Sequence, residues 1–335
     1  MTKAGSKNGI YLLSNDVVID QVIALINSIK ANYSNDIPIC IIPYNDEIES
    51  LKKIISQFEH VFLFEDQKSI QKWDHFVRDI HQIFLAYPFQ DKPKRRIETP
   101  TMHRKYCAFD GLFERFIYID TDTLVMKPLD HVFRALDTYD FVVHDFQRKT
   151  DRKKKTVQSF FNALKADYSS EEDLYLRFHC GGFWASHRKL FTEADLAFFL
   201  DEVKAGDAEA FRAEIRGELI AQLLEQTMLN YMTIKKKVSL YNFTLNEGAE
   251  HSTGCNVTSK HFRQSENVLY DRNKRLTYLH YMGIKNSRFF RLSRLYEKPI
   301  PWKQLAAKLC DKLLNWEISN IPYGDLFVHY RFMNK

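Results

Sequence analysis

Two carboxylates stand two residues apart at the end of a run of strand-forming residues. The stretch 115–130 reads RFIYIDTDTLVMKPLD, and its residues 116–119 lead directly to Asp120, Thr121 and Asp122. Side chains at positions i and i+2 of an extended chain point the same way, and two facing carboxylates repel each other unless a cation bridges them. Oxygen ligands favour Mg²⁺ or Mn²⁺. The pair predicts a divalent-metal site; the alternative is one capping and one exposed aspartate.

A histidine far downstream is the second candidate ligand. His280 lies in LHYMGIK (279–285), and its imidazole suits Mn²⁺ better than Mg²⁺. In the same segment Gly283 permits a tight turn, and Lys285 offers a positive charge to a phosphate. A single histidine among aromatic residues is usually a packed, hydrogen-bonded residue. Together with the carboxylate pair, however, the segment suggests a metal–diphosphate site.

The elements before the aspartates predict an α/β fold. The predicted strands are 9–13, 37–44 and 60–64, and the predicted helices are 20–29 and 47–57. Alternating strands and helices indicate βαβ units and a parallel sheet. Such sheets bind ligands at the carboxyl ends of their strands. Ser14, Asn15 and Asp16 directly follow the first strand, so we expect them at that edge.

The rest of the chain is more mixed. The predictions are a helix at 69–86, a loop at 87–100, a helix at 101–113, a strand at 139–146, a basic loop at 147–156, a strand at 177–191, helical structure over 192–233 and an irregular stretch over 234–275. The strand at 177–191 is interrupted by Gly181 and Gly182, which suggests a bulge or a close backbone approach. One domain, 1–290, with a C-terminal appendage, 291–335, is the simplest division.

Composition excludes several functional classes. The 335 residues suffice for a large core, and 48 basic residues nearly balance 43 acidic ones, so no nucleic-acid partner is expected. Five widely spaced cysteines without a CxxC pair indicate reduced thiols in a cytoplasmic protein. No signal peptide and no spanning helix are predicted. The aromatic, basic C-terminus suggests peripheral contact at the inner membrane face, or simply a packed subdomain.

Five features, in order, resemble the retaining glycosyltransferases of the GT-A fold, in particular family 8, which includes glycogenin and bacterial lipooligosaccharide galactosyltransferases. The resemblance covers roughly residues 9–290, and its D-x-D and H-x-x-G elements are specific only in combination. The features are Asn15-Asp16 with Ser28 thirteen residues after Asn15, HRKYCAF (103–109), IYIDTDTLV (117–125), CGGFWASHRKLF (180–191), and EQTMLN (225–230) followed by HYMGIK (280–285).

The resemblance implies a GT-A type fold, with a Rossmann-like mixed sheet flanked by helices; beyond it we expect a helical, aromatic appendage at the C-terminus. It implies that Asp120, Asp122 and His280 bind Mn²⁺ (or Mg²⁺), and that Glu225 and Gln226 face the anomeric carbon and the sugar hydroxyls as catalytic residues. The implied donor-binding residues are Ser14, Asn15, Asp16, Lys105, Asp120, Thr121, Asp122, Gly181, Gly182, Gly283 and Lys285.

Several positions depart from the family pattern. The spacing from His280 to Lys285 is five rather than six, Cys180 stands where an amide is usual, and Asn15 stands where an aspartate often reads uracil. These departures indicate a divergent relative. We expect a metal-dependent transferase that moves a sugar, with retention, from a UDP-sugar to a glycan, lipid or small molecule. The alternatives are a nucleotidyltransferase acting on sugar phosphates, although no P-loop is found, and an inactive carbohydrate- or lipid-surface-binding protein.

Overall fold

The computed structural model describes residues 7–86, 101–145, 164, 168, 170–207, 225–246, 253–255, 261–297 and 321–333. The strands are β1 (Asn8–Ser14), β2 (Ile39–Pro43), β3 (Val61–Leu63), β4 (Arg115–Ile119), β5 (Thr123–Val125), β6 (Phe141–Val143), β7 (Phe183–His187), β8 (Leu240–Asn242), β9 (Gly254–Cys255), β10 (Arg263–Ser265), β11 (Val268–Asp271), β12 (Lys274–Arg275) and β13 (Tyr278–His280).

The α-helices alternate with the strands over the first part of the chain. They are α1 (Ile19–Asn32), α2 (Glu49–Ile55), α3 (Gln67–Ala86), α4 (Asp130–Ala135), α5 (Glu171–Arg177), α6 (Glu193–Glu202), α7 (Glu225–Lys235), α8 (Phe243–Asn246), α9 (Asn286–Glu297) and α10 (Gly324–Phe332). Two 3₁₀ helices, Asp16–Val18 and Thr101–Asp110, complete the part that positions the site. The predicted loops at 87–100 and 147–156 lie outside the described residues.

A seven-stranded sheet has the order β3-β2-β1-β4-β7-β6-β8. The pairs β1/β4, β2/β3 and β6/β8 are parallel, and β6/β7 is antiparallel, with Val142 opposite Ala185. The parallel pairing expected in the first part of the chain is observed for β2/β3 and β1/β4, and the predicted mixed sheet of GT-A type is confirmed. Apolar runs such as β2, which is buried at every position, indicate burial on both faces but carry no information on strand direction.

Three predicted elements differ from the structure. The strand over 177–191 is confined to β7, because α5 occupies Glu171–Arg177 and the two glycines precede the strand rather than interrupt it. The helix over 192–233 is present as α6, a π-helical turn at Val203–Asp207 and α7, while 208–224 lies outside the described residues. The helix expected at 101–113 is the 3₁₀ helix Thr101–Asp110.

The stretch 234–275, expected to be irregular, contains several short strands. Strands β10, β11 and β12 form an antiparallel meander, and β9 joins β5 and β13 in a second three-stranded sheet. Arg272 and Asn273 both take positive φ, 48° and 69°, between β11 and β12. A two-residue hairpin loop of type I′ requires this conformation at both positions, but it is usually signalled by glycine, so the sequence gives little warning of it.

The chain divides into two compact units. The first comprises Met1–Tyr11, Phe64–Tyr118 and Val132–Asn246, and the second comprises Leu12–Leu63, Ile119–His131 and Glu247–Lys335. The first has an aromatic core in which the rings of Phe109 and Trp184 stack 5.1 Å apart. In the second, α1 packs against β5 and α10. The predicted boundary at residue 290 lies within α9, and the division into 1–290 and 291–335 stays a prediction.

Cys40, Cys107 and Cys180 are buried and form no disulfide. Of the helices that the structure describes, none combines the length and the apolar character needed to cross a bilayer.

Candidate metal centre and buried lysine cluster

The two aspartates lie in the turn that joins β4 to β5, within the second unit. Asp120 follows the last residue of β4, and Asp122 immediately precedes Thr123, the first residue of β5. Strand β5 pairs antiparallel with β13, which places His280 opposite Thr123. The backbone N–H of Tyr281 donates to the Asp122 carbonyl oxygen at 2.7 Å. Strand pairing thus brings His280 beside the aspartate turn despite their separation along the chain.

The three side chains converge in a geometry that suits one ion. His280 Nε2 lies 3.0 Å from Asp122 Oδ1, and one ligand atom each from Asp120, Asp122 and His280 lies within 4.8 Å of the others. Neighbouring ligands of an octahedral ion stand at right angles, so two atoms 3.0 Å apart can both contact an ion at roughly 2.1 Å. Two carboxylates and an imidazole suit Mn²⁺. The group is a candidate site for a divalent cation.

The segment after β13 contains the predicted phosphate contact. The chain turns at Gly283, whose φ of +79° is in the left-handed region, and a Cβ there would meet nothing within 4 Å. Glycine is therefore needed for backbone conformation rather than for close approach. Lys285 is exposed and directly precedes α9, and its carbonyl accepts the Arg288 N–H at 2.9 Å. Its ammonium group is therefore in contact with solvent near the start of a helix.

Ser14 and Asn15, predicted to bind the donor, have structural contacts at the end of β1. Asn15 Oδ1 accepts the Val17 N–H at 3.1 Å and so caps the 3₁₀ helix Asp16–Val18, while its Nδ2 donates to Asn45 Oδ1 at 3.2 Å. Ser14 is 1% exposed. Its carbonyl oxygen accepts a hydrogen bond of 2.8 Å from the backbone N–H of Tyr44, the residue after β2. Their donor-binding role stays a prediction.

Asp16 has a comparable structural task. Its carboxylate accepts the backbone N–H groups of Ser50 at 3.0 Å and Leu51 at 2.8 Å, in the first turn of α2. A carboxylate at a helix N-terminus satisfies amides that have no partner within the helix and interacts favourably with the helix dipole. This capping explains the residue without a ligand. Thr121, between the two aspartates, is half-buried in the turn.

The predicted sugar-binding residues form a separate cluster in the first unit. Lys105 is only 2% exposed; its Nζ lies 3.6 Å from Glu225 Oε1, donates to the Gly181 carbonyl at 3.4 Å and lies 4.9 Å from the centre of the Tyr118 ring. A buried ammonium is costly unless it is paired and hydrogen-bonded. Glu225, the Gly181 carbonyl and the aromatic face together supply those interactions.

Gly181 lies against the first turn of α7. Its N–H donates to Gln226 Oε1 at 3.1 Å, and a Cβ at this position would come within 3.3 Å of Gln226 Cβ. The close approach that the two glycines suggested is thus observed for Gly181, while Gly182 is buried directly before β7. The structure brings Lys105, Gly181, Glu225 and Gln226 together.

Two residues of this cluster were not singled out from the sequence. The hydroxyl of Tyr106 donates to the Glu225 carbonyl; burial raises the pKa of Tyr106 well above its usual value, and the Glu225 charge adds to this. Asn230 donates to the Gln226 carbonyl at 2.8 Å and exchanges two hydrogen bonds with the His179 backbone. Both residues lie within quoted motifs, so the motifs supplied the signal, but their partners required the tertiary structure.

No protein-family model and no curated protein matches the chain in sequence. Solved structures do match. Mouse xyloside xylosyltransferase 1, in its apo form, has a TM-score of 0.51 at 8% identity over 82% of this chain and 98% of its own. The bifunctional glycosyltransferase WbbM has a TM-score of 0.48 at 13% identity, over 90% of this chain and 51% of its own. This chain therefore spans about half of WbbM. An active-site mutant of LgtC has a TM-score of 0.47 at 10% identity, over 91% of this chain and 95% of its own.

The likeness to the xylosyltransferase, at 8% identity, establishes the fold alone. The chain has the fold of the GT-A glycosyltransferases, which confirms the predicted fold class.

Proposed function

We propose that this chain is a metal-dependent glycosyltransferase that moves a sugar from a nucleotide-diphosphate sugar to an acceptor with retention of anomeric configuration. The observation that carries the proposal is the convergence of Asp120, Asp122 and His280 within 4.8 Å on a GT-A fold. When bound, a divalent cation supplies positive charge to the leaving nucleoside diphosphate, as a Lewis acid. The imidazole among the ligands favours Mn²⁺ over Mg²⁺.

In this proposal the second unit binds the nucleotide diphosphate. Asp120, Asp122 and His280 hold the ion, and the exposed ammonium of Lys285, set after the Gly283 turn, contacts a phosphate. The remaining donor-binding residues proposed here are Ser14, Asn15, Asp16 and Thr121, of which Asn15 and Asp16 border the base and ribose. Because the Asn15 and Asp16 side chains also cap helices, their contribution to binding is proposed to be the smaller one.

The cluster in the first unit is proposed to serve the donor sugar. Gln226 Oε1 is occupied by the Gly181 N–H, so its amide nitrogen is the group proposed to donate to a sugar hydroxyl. The Glu225 carboxylate, beside Lys105, stabilises positive charge at the anomeric carbon, and Gly182 lets the backbone approach the sugar. No dedicated general base is proposed, because a phosphate oxygen of the leaving group can accept the acceptor's proton.

The finer assignments belong to the same proposal. The donor is proposed to be a UDP-sugar, and the acceptor a glycan, lipid or small molecule. LgtC, a galactosyltransferase, has been solved with donor and acceptor sugar analogues, and a donor and an acceptor are proposed here by analogy. A cytoplasmic location with peripheral contact at the inner membrane face is likewise proposed, from the cysteine usage and the basic, aromatic C-terminus.

The test is turnover of UDP-glucose, UDP-galactose and UDP-N-acetylglucosamine with and without Mn²⁺. The expected result is Mn²⁺-dependent release of UDP and free sugar, with the first-formed anomer read by proton NMR. Asp122→Ala should lower turnover at least about a hundredfold, since it removes a ligand. Asp130→Ala, at an exposed aspartate of the same segment, is the matched control and should retain turnover.

The other outcomes separate the alternatives. Pyrophosphate release from a nucleoside triphosphate and a sugar phosphate would indicate a nucleotidyltransferase, and binding without turnover would indicate a carbohydrate-binding protein. Near-normal turnover by a folded Asp122→Ala variant would exclude the proposed metal site.

A further inference from the structure

Helix α1 carries an unusual number of buried polar side chains. Gln21, Asn27 and Ser28 are 3%, 1% and 0% exposed, and Asn32, its last residue, is half-buried. A buried polar group is costly unless it is hydrogen-bonded, and in native structures it almost always is. The partners of these four side chains therefore show what the helix holds in place.

Ser28 and Asn32 hold one backbone position of β5. Ser28 Oγ accepts the Val125 N–H at 2.9 Å, and Asn32 Nδ2 donates to the Val125 carbonyl at 2.9 Å. Val125 is fully buried, so neither of its backbone groups can turn to water instead. The two side chains of α1 therefore take the place that a neighbouring strand would have along this edge of β5.

Strand β5 in turn sets the aspartate turn against β13. It begins at Thr123, immediately after Asp122, and Thr123 stands opposite His280 in the ladder. A displacement of β5 would therefore move Asp122 relative to His280. In the structure, His280 Nε2 lies 3.0 Å from Asp122 Oδ1. The two hydrogen bonds from α1 fix this strand three residues beyond the proposed ligand.

Gln21 makes an equivalent connection to the proposed phosphate-binding segment. Its Nε2 donates to Asn286 Oδ1 at 3.0 Å. Asn286 is the first residue of α9 and directly follows Lys285, so the bond restrains the backbone next to that lysine. One helix thus contacts both the metal-bearing strand and the lysine-bearing segment through side-chain hydrogen bonds.

We infer that Gln21, Ser28 and Asn32 are positioning residues, which we call the α1 polar set. Ser28 and Asn32 set the distance between Asp122 and His280, and Gln21 sets the position of Lys285. The consequence for metal and donor binding rests on the proposed function, whereas the consequence for ligand geometry does not. Residues that orient metal ligands from outside the coordination sphere typically change affinity about 10–100-fold when they are removed.

Asn27 provides a matched control on the same helix. It is as buried as Ser28, and its Nδ2 donates to the Tyr330 carbonyl at 2.7 Å. Asn27→Ala therefore removes a buried hydrogen bond directed to α10 rather than to β5 or the start of α9. It is the control for Ser28→Ala above all, because Asn32 also donates to the Tyr330 hydroxyl at 2.7 Å and accepts from Arg275 at 2.7 Å. A loss of stability alone should affect Ser28→Ala and Asn27→Ala similarly, whereas a positioning role should separate them.

The experiment compares Ser28→Ala, Asn32→Ala, Gln21→Met and Asn27→Ala in the full chain. Mn²⁺ affinity, measured by calorimetry without nucleotide, should fall about tenfold in the first two variants, at the low end of the range for such residues. Gln21→Met should keep Mn²⁺ affinity and raise the KM for the UDP-sugar severalfold. Asn27→Ala should change neither, although its denaturation midpoint falls by an amount similar to that of Ser28→Ala.

A metal-free measurement separates this inference from the proposed function. The imidazole ¹⁵N signals of His280 should shift in Ser28→Ala and Asn32→Ala and stay in place in Asn27→Ala, whether or not the wild type turns over a sugar nucleotide. Equal weakening of Mn²⁺ binding by Asn27→Ala, or unchanged His280 signals in both β5-contact variants, overturns the inference. If the two variants show the shifts but the wild type does not bind Mn²⁺, the proposed function alone is contradicted.

Discussion

The metal group and the lysine cluster both contain carboxylates, but the source of positive charge differs between them. In the first unit, the ammonium of Lys105 lies 3.6 Å from Glu225, so the chain supplies its own cation. In the second unit, Asp120 and Asp122 converge with an imidazole, and two carboxylates at one site favour binding of an added cation. In the first region the chain itself balances the carboxylate charge, whereas the second region is arranged to bind a cation.

The difference predicts that substitution and metal binding affect the stability of the two regions differently. A buried ion pair is often no more stabilising than an apolar replacement, but breaking it by removal of one partner is costly. A cluster of like charges, in contrast, gains stability when an ion binds to the native state only. We therefore expect the first region to respond to substitution of its lysine and the second region to respond to metal.

The largest expected effect is that of Lys105→Met on stability. The substitution leaves the Glu225 carboxylate, with its side chain 16% exposed, without its ammonium partner. We expect the free energy of unfolding to fall by roughly 3 kcal/mol, as measured by urea denaturation. Mn²⁺ binding by the second unit should be retained, which would confirm that the two regions obtain their charge balance independently.

The double variant Lys105→Met/Glu225→Gln is the control for this prediction. Because both partners of the pair are then uncharged, a substantial part of the lost stability should return, and the cycle gives the coupling between the two residues. A double variant no more stable than Lys105→Met would show that Lys105 acts mainly through the Gly181 carbonyl and the Tyr118 ring.

The second prediction concerns the metal. At a free Mn²⁺ concentration one hundred times the dissociation constant, wild-type stability should rise by about 2.7 kcal/mol, as measured by thermal or urea unfolding. His280→Ala should lose most of this gain and Lys105→Met should keep it. If Mn²⁺ stabilises His280→Ala as much as the wild type, His280 is not a ligand and the two regions do not differ as described.

The elements that lead to the site were predictable because their hydrophobic pattern is strong. The runs that became β1, β2 and β4 are nearly continuous apolar segments, and α1 has a clear helical period. The direction of β7 was not predictable, because a buried run has no polarity signal. Nor was the meander β10–β12, since strands of two to four residues are too short to show a period and its hairpin lacks the usual glycine.

The site itself was only partly accessible from the sequence. The spacing of Asp120 and Asp122 indicates a metal site, and the imidazole of His280 makes it a candidate ligand. No local pattern shows that the three residues meet, because the β5–β13 pairing that joins them is long-range. The contacts of Ser28 and Asn32 with Val125 were invisible for the same reason. Asn15 and Asp16 were expected at a ligand edge; their capping of neighbouring helices depends on loop geometry that no local pattern specifies.

A third prediction is that acid, rather than metal removal, destabilises the first unit. His81 is 8% exposed, and burial, with the neighbouring His103 adding, lowers its pKa to about 4. The unfolded chain takes up this proton near pH 6.5, whereas the folded chain does so only near pH 4. The stability that the neutral His81 side chain contributes is therefore fully present above pH 6.5 and is lost as the pH falls to 4. The loss is roughly 2 kcal/mol after allowance for partial solvent access.

The check is urea denaturation at pH 7 and pH 5 for His81→Gln and His75→Gln. His75 is an exposed histidine of the same helix, α3, so its replacement should leave the pH dependence unchanged. His81→Gln should flatten it, whatever its effect on stability at pH 7. An unchanged slope in His81→Gln would assign the acid sensitivity to other groups.

The smallest expected effect is that of replacing one glycine in each region, Gly283 in the second and Gly181 in the first. Gly283, with φ of +79° and no neighbour within 4 Å of a Cβ, needs a permissive backbone, whereas Gly181 needs space beside Gln226. Alanine at either position should cost about 1 kcal/mol, through left-handed strain in one case and overpacking in the other. Asparagine, which tolerates the left-handed region, should recover stability at position 283 and lose more at position 181 because it is larger. If asparagine acts alike at both positions, the two glycines do not serve different purposes, and urea denaturation of the four single variants decides this directly.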